Sequence, residues 1–190
     1  MCYGSGITIN EHGQEIRKVS VKNQSGRLIA ELLKHYEINM QSVMLRRSLL
    51  IQEQLSFSTN LKYCPDHNLF MEIASRYPVG VLQDFIVKHR LWNNSLSKKT
   101  LNIAASEVQY TLDKIVERAP ELKQEFAKEF DQAYKKLHYY EAVAAICKND
   151  RKRARQELKS VISSKIEYLL LYLLLFLPVS NQKILIILNR

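Results

Sequence analysis

Cysteine, proline and glycine are scarce in this 190-residue chain, which holds 3, 4 and 5 of them respectively. Cys2, Cys64 and Cys147 lie far apart with no Cys-x-x-Cys pair, which argues against a disulfide framework and against a cysteine-held zinc. So little Gly and Pro beside 46% apolar residues excludes a collagen-like or disordered chain and leaves ample material for a core. The opening residues MCYGSGITINEHGQE hold neither a basic cluster nor an apolar run, so they do not read as a secretory signal. There is no Gly-x-Ser-x-Gly, no P-loop and no Asp-x-Asp. His12, His35, His67, His89 and His138 show no His-x-His or His-x-x-x-His spacing, so the sequence announces no zinc site.

What the chain does have is positive charge. With 28 Lys and Arg against 19 Asp and Glu, its net charge of +9 calls for an anionic neighbour: nucleic acid, acidic lipid or a phosphorylated substrate. Residues 148–165 carry seven of the cations (148, 151, 152, 153, 155, 159 and 165) against Asp150 and Glu157, a net of +5. This run lacks interleaved aromatics and any reading motif, so nucleic acid is not the expected partner. It leads instead into two apolar runs, YLLLYLLLFLP over 168–178 and ILIIL over 184–188. Neither reaches the roughly 18 residues that a bilayer span requires. A basic helix followed by short apolar segments fits a surface that lies on an anionic membrane. It equally fits helices buried against the rest of the protein or another subunit.

Residues 3–9 alternate as a strand, and Glu11 to Gln14 supply a reversal. Ser25 can cap a helix over 27–36, an extended segment follows over 39–45, and 48–55 reads as a short helix. Cys64-Pro65-Asp66 starts a helix whose face is Leu69, Phe70, Ile73, Ala74 and Tyr77, and Pro78 stops it. Two short strands are expected over 79–82 and 85–91, then a polar loop over 93–97 with Ser97 as a cap. Beyond it the pattern is helical throughout: 101–118, a second helix opened by Pro120, a break at Asn149-Asp150, and a further helical face on Ala154, Leu158, Val161 and Ile162. The spacing thus predicts an α-rich α/β chain, with a mixed part over 1–97 and an all-α tail over 98–190. No period repeats three times, so a solenoid is not supported.

Three segments, in order, resemble family 2 glycosyltransferases. Gln41-Ser42-Val43-Met44-Leu45-Arg46-Arg47 is similar to their s-v-m-f-R-r strand. Asp66 to Ala74 resembles their E-D-x-D-L-x-x-R-l-a helix start, and His89 to Ser97 their y-R-x-H-x-x-s-x-S segment. The resemblance covers most of the chain and is strongest over 25–97. Pro65 stands where the family has Glu, Asn68 where it has a second Asp, and Trp92 where it has His.

The resemblance implies the acceptor-side half of a GT-A fold, followed by the helical tail. It implies transfer of a sugar, with inversion, from a nucleotide-sugar to an acceptor hydroxyl on a glycan or lipid-linked carrier. Work of that kind in cell-surface polysaccharide synthesis would place the chain in the cytoplasm, peripheral to the inner membrane face. Asp66 matches the family's catalytic base, and Arg90 the arginine near the donor diphosphate. The base role suits the chemistry, because a hydroxyl attacks well only as a carboxylate takes its proton. The residues alone also allow Asp66 as a plain helix cap. Trp92 reads either as a ring stacked on a sugar or as a buried structural Trp. Arg46 and Arg47 read either as phosphate contacts or as an exposed pair. A leaving diphosphate needs charge neutralisation, by Mg²⁺ or Mn²⁺ or by basic side chains. The family's nucleotide-binding half with its Asp-x-Asp ligands has no counterpart in these residues. A different class is open as well: the Tyr- and Ala-rich hairpin over 131–161 resembles a single tetratricopeptide-like unit, a non-catalytic scaffold that could dock a partner helix.

Overall fold

Tyr3, Ile7 and Ile9 alternate with small residues, and the chain opens as strand β1, Cys2–Ile9. Asn10 folds the reversal: its side-chain oxygen accepts the backbone N–H groups of His12 and Gln14, and Gly13 takes φ +85°, a left-handed value that favours glycine. The chain returns antiparallel as β2, Glu15–Val19, wholly solvent-exposed. In the computed structural model residues 1–92 and 101–188 are described.

Ser25 does not cap a helix. Its hydroxyl accepts the N–H of Val81 at 2.8 Å and pins the start of a later strand, while helix α1 is shorter than expected, Ile29–Lys34. The extended segment over 39–45 contains one 3₁₀ turn, Met40–Ser42, and bridges back to β1 through Cys2 and Met44. Helix α2 is Arg47–Gln52. Helix α3, Pro65–Arg76, has proline in its first turn, where a missing N–H is harmless.

The two strands expected over 79–91 are one, β3, Gly80–Arg90, running parallel to β1. The sheet order is β2-β1-β3. Register shifts join its halves: Gly4 faces Leu82, Ser5 faces Phe85 and Gly6 faces Val87. A Cβ at Gly4 would stand 2.9 Å from the Ile86 side chain and 3.0 Å from the Leu82 carbonyl oxygen, so glycine permits the irregular register.

The polar loop expected over 93–97, with its Ser95 and Ser97, lies outside the described residues. After a 3₁₀ turn, Leu101–Ile103, come α4, Ala104–Arg118, α5, Pro120–Glu125, and α6, Ala127–Cys147. The helix opened by Pro120 is therefore broken at Phe126. Asn149, in left-handed conformation, ends α6, and the Asp150 side chain caps α7, Arg151–Lys159, by accepting the N–H of Arg153. Helices α8, Ile166–Leu174, and α9, Asn181–Ile187, close the chain.

The fold is mixed α/β: a small three-stranded mixed sheet and many helices. One apolar core joins Tyr3, Leu32, Phe70 and Ile73 to Leu112, Ile115 and Phe130, and so crosses the composition boundary near residue 97. A second core, from Ala142 to Ile184, ties α6 and α7 to α8 and α9.

Candidate functional site

The start of α3 is held from a distance. Glu107 of α4 is 7% exposed, and its carboxylate accepts the N–H groups of Lys62, Tyr63 and Cys64 at 2.7, 2.8 and 2.9 Å. These amides precede the first turn, where backbone donors have no partner within the helix and an anion is favoured. Further along the same interface Glu72, 3% exposed, pairs with Lys114 and Arg118 of α4, and Asn68 donates to the Thr111 hydroxyl. The α3–α4 interface is thus polar and charge-matched as well as apolar, and it fixes where the first turn of α3 points.

Asp66 stands in that first turn. Cys64 occupies the cap position and no side chain caps the helix there, so the cap reading of Asp66 does not hold. Its side chain lines a cavity of about 250 Å³ between α1, α3, α4 and α6, with Tyr36, His67, Lys136 and Tyr140. Leu33, Met71, Leu112 and Ala133 provide the apolar part of the wall.

The groups around Asp66 are held largely neutral. The Tyr36 hydroxyl is pushed up in pKa by burial and then by the neighbouring Asp66 carboxylate. His67 is pulled down to about 4, first by burial and then by the charge of Lys136. Cys64 is pushed up to about 12 by burial and by Glu107, so it is a thiol and not a nucleophile at neutral pH. The Tyr36 and His67 rings lie 4.6 Å apart, and among the described residues neither the Tyr36 hydroxyl nor His67 Nδ1 has a hydrogen-bond partner. The Lys136 ammonium sits 5.6 Å from the centre of the Tyr140 ring. A carboxylate in a half-apolar cavity, among uncharged hydrogen-bonding groups and one lysine, is equipped to take a proton from a bound hydroxyl.

Of the five residues expected at a site, only Asp66 lines this cavity. Arg90, exposed at the end of β3, donates through one guanidinium nitrogen to the carbonyl oxygens of Asn10 and Glu11 and braces the β1–β2 reversal. Trp92 is neither buried nor in the cavity; it is 55% exposed. Arg46 and Arg47 are exposed at the start of α2. Tyr36, His67 and Lys136 were not singled out by the sequence. Lys136 and Tyr140 share one face of α6 at four-residue spacing, a weak signal that does not say which helix they meet.

A second hollow, of about 390 Å³, lies against β1 and shares Tyr36 with the first; Arg17, His35 and His89 line it. Among the described residues Asp66 is the one carboxylate lining the first hollow, and Glu37, the one lining the second, is occupied by Tyr3, Lys22 and Asn23. Among the described residues no three His, Cys, Asp or Glu side chains gather as a metal-holding group. Also among them, no helix is long and apolar enough to cross a membrane. No protein-family model, no curated protein and no solved structure matches this chain.

Proposed function

We propose that this chain is the acceptor side of an inverting sugar transferase, with Asp66 as general base. The observation that supports the reading most is that Asp66 is spared from capping its helix and lines an open hollow. An acceptor hydroxyl bound there would lose its proton to Asp66 as its oxygen attacks the anomeric carbon of a nucleotide-sugar. The new carbon–oxygen bond forms on the face opposite the departing diphosphate, so configuration inverts in one displacement. Tyr36 and the neutral His67 would bound the acceptor. Arg90, Trp92, Arg46 and Arg47 carry no part of this reading, and no step is routed through a metal.

A scaffold reading is less well supported. The side of the α6–α7 hairpin that could receive a foreign helix is packed with the chain's own Tyr168, Leu171, Leu175 and Ile184.

The test joins the chain to a nucleotide-sugar-binding half of a family 2 transferase and follows nucleoside diphosphate release. Asp66→Asn should lower kcat by about 10²–10⁴-fold, the usual contribution of a positioned base. Acceptor binding, followed by ligand-observed NMR, should change by no more than a few-fold. Undiminished transfer by the variant would refute the assignment.

A further inference from the structure

Helices α8 and α9 bury only one side. Tyr168, Leu171, Leu175 and Ile184 close against α6 and α7. On α8 the opposite line is Ile166, Leu170, Leu173 and, just past the helix, Leu177, at successive offsets of four, three and four residues. That spacing makes one continuous stripe, and its members are 51–63% exposed. Phe176 in the following turn and Ile186 and Ile187 on α9 are exposed too.

The basic helix α7 lies beside this apolar surface. The Arg155 guanidinium stacks 4.8 Å from the centre of the Phe176 ring. Arg151 donates to the carbonyl oxygens of Leu177 and Val179 and to the Asn181 side chain, which holds the α8–α9 turn against α7. Lys152, Lys159 and Lys165 are exposed. Two of the nearby acids are occupied, Asp150 by the cap of α7 and Glu157 by His138 at 2.9 Å.

We infer that α8, the turn after it and the exposed side of α9 dock on an anionic lipid bilayer. The apolar stripe enters the headgroup–acyl boundary while the lysines of α7 meet lipid phosphates. With 9 residues, α8 is roughly 13 Å long, far short of the hydrocarbon core, so it lies in the interface plane. A second copy of the chain would satisfy the apolar stripe but would set one net +5 segment against another; anionic headgroups satisfy both features. The inference does not depend on the role of Asp66.

Flotation of the whole chain with vesicles of phosphatidylcholine, with and without about 30% phosphatidylglycerol, tests it. Binding is expected to the anionic vesicles only, and to weaken as salt rises from about 0.1 M to about 0.5 M. L170Q/L173Q/L177Q changes exposed positions alone and should weaken binding by at least about tenfold. K152Q/K159Q should weaken it about twenty-five-fold, at about fivefold per charge. Circular dichroism checks that both variants are folded. The inference is overturned if the wild type does not float, if either folded variant floats like the wild type, or if the wild type is a dimer that L170Q/L173Q/L177Q converts to a monomer with no vesicle binding by either.

Discussion

Replacing His67 by Phe should change how the stability of this protein depends on pH. The imidazole packs half-buried against Tyr36 with its Nδ1 inaccessible to solvent, and burial, then the charge of Lys136, lowers its pKa from the ordinary 6.5 to about 4. Between those values the unfolded chain binds a proton that the folded chain refuses, so acid favours unfolding. The stabilisation is whole above about pH 6.5 and is lost progressively as pH falls towards 4. At about 1.4 kcal/mol per pH unit, full loss amounts to about 3 kcal/mol, and about 2 kcal/mol of it falls between pH 7 and pH 5. His67→Phe keeps a ring against Tyr36 and removes both the titrating group and the unpartnered Nδ1. Urea unfolding of both proteins at about pH 7, 6 and 5 should show the wild type weakening relative to the variant by about 2 kcal/mol. At pH 7 the variant should be at least as stable, because a buried polar atom without a partner costs about 1–3 kcal/mol. Stability curves that run parallel over this range would refute the reasoning.

Three further substitutions test the packing around α3 and the sheet. Glu107→Ala strips three backbone N–H groups of their acceptor and should cost about 3 kcal/mol or more, read from the denaturation midpoint; a loss below about 1 kcal/mol would mean that water replaces the carboxylate. Gly4→Ala drives a methyl group into Ile86 and the Leu82 carbonyl and should cost about 1–3 kcal/mol, whereas Gly13→Ala meets no atom within 4 Å and should cost less, from its left-handed φ alone.

Much of the architecture could be read from single residues. Pro65 and Pro78 bracket α3, Pro120 opens α5, and Asn149-Asp150 separates α6 from α7, because each acts through its own backbone. What depends on distant partners could not. Strand β2 escaped notice because Glu15 to Val19 are all exposed and bear no alternation. The expected break within β3 is absorbed by the glycines of β1. Ser25 has the chemistry of a cap but finds Val81, 56 residues away. At the site the helix start bearing Asp66 was legible, and its surroundings were not: Tyr36 from the segment after α1, His67 from α3 and Lys136 from α6 meet only because the packed core brings them together. Arg90, read through the family resemblance, has found the β1–β2 reversal instead.

The reach of Glu107 back across 43 to 45 residues bears on when this molecule becomes competent. Lys62, Tyr63 and Cys64 wait for an acid made later in synthesis, and distant pairings of this sort form slowly. A nascent chain halted before residue 107 would own every atom of Asp66 yet have no finished chamber to present it in. The hollow beside that carboxylate thereby exists only once the surrounding helices are complete.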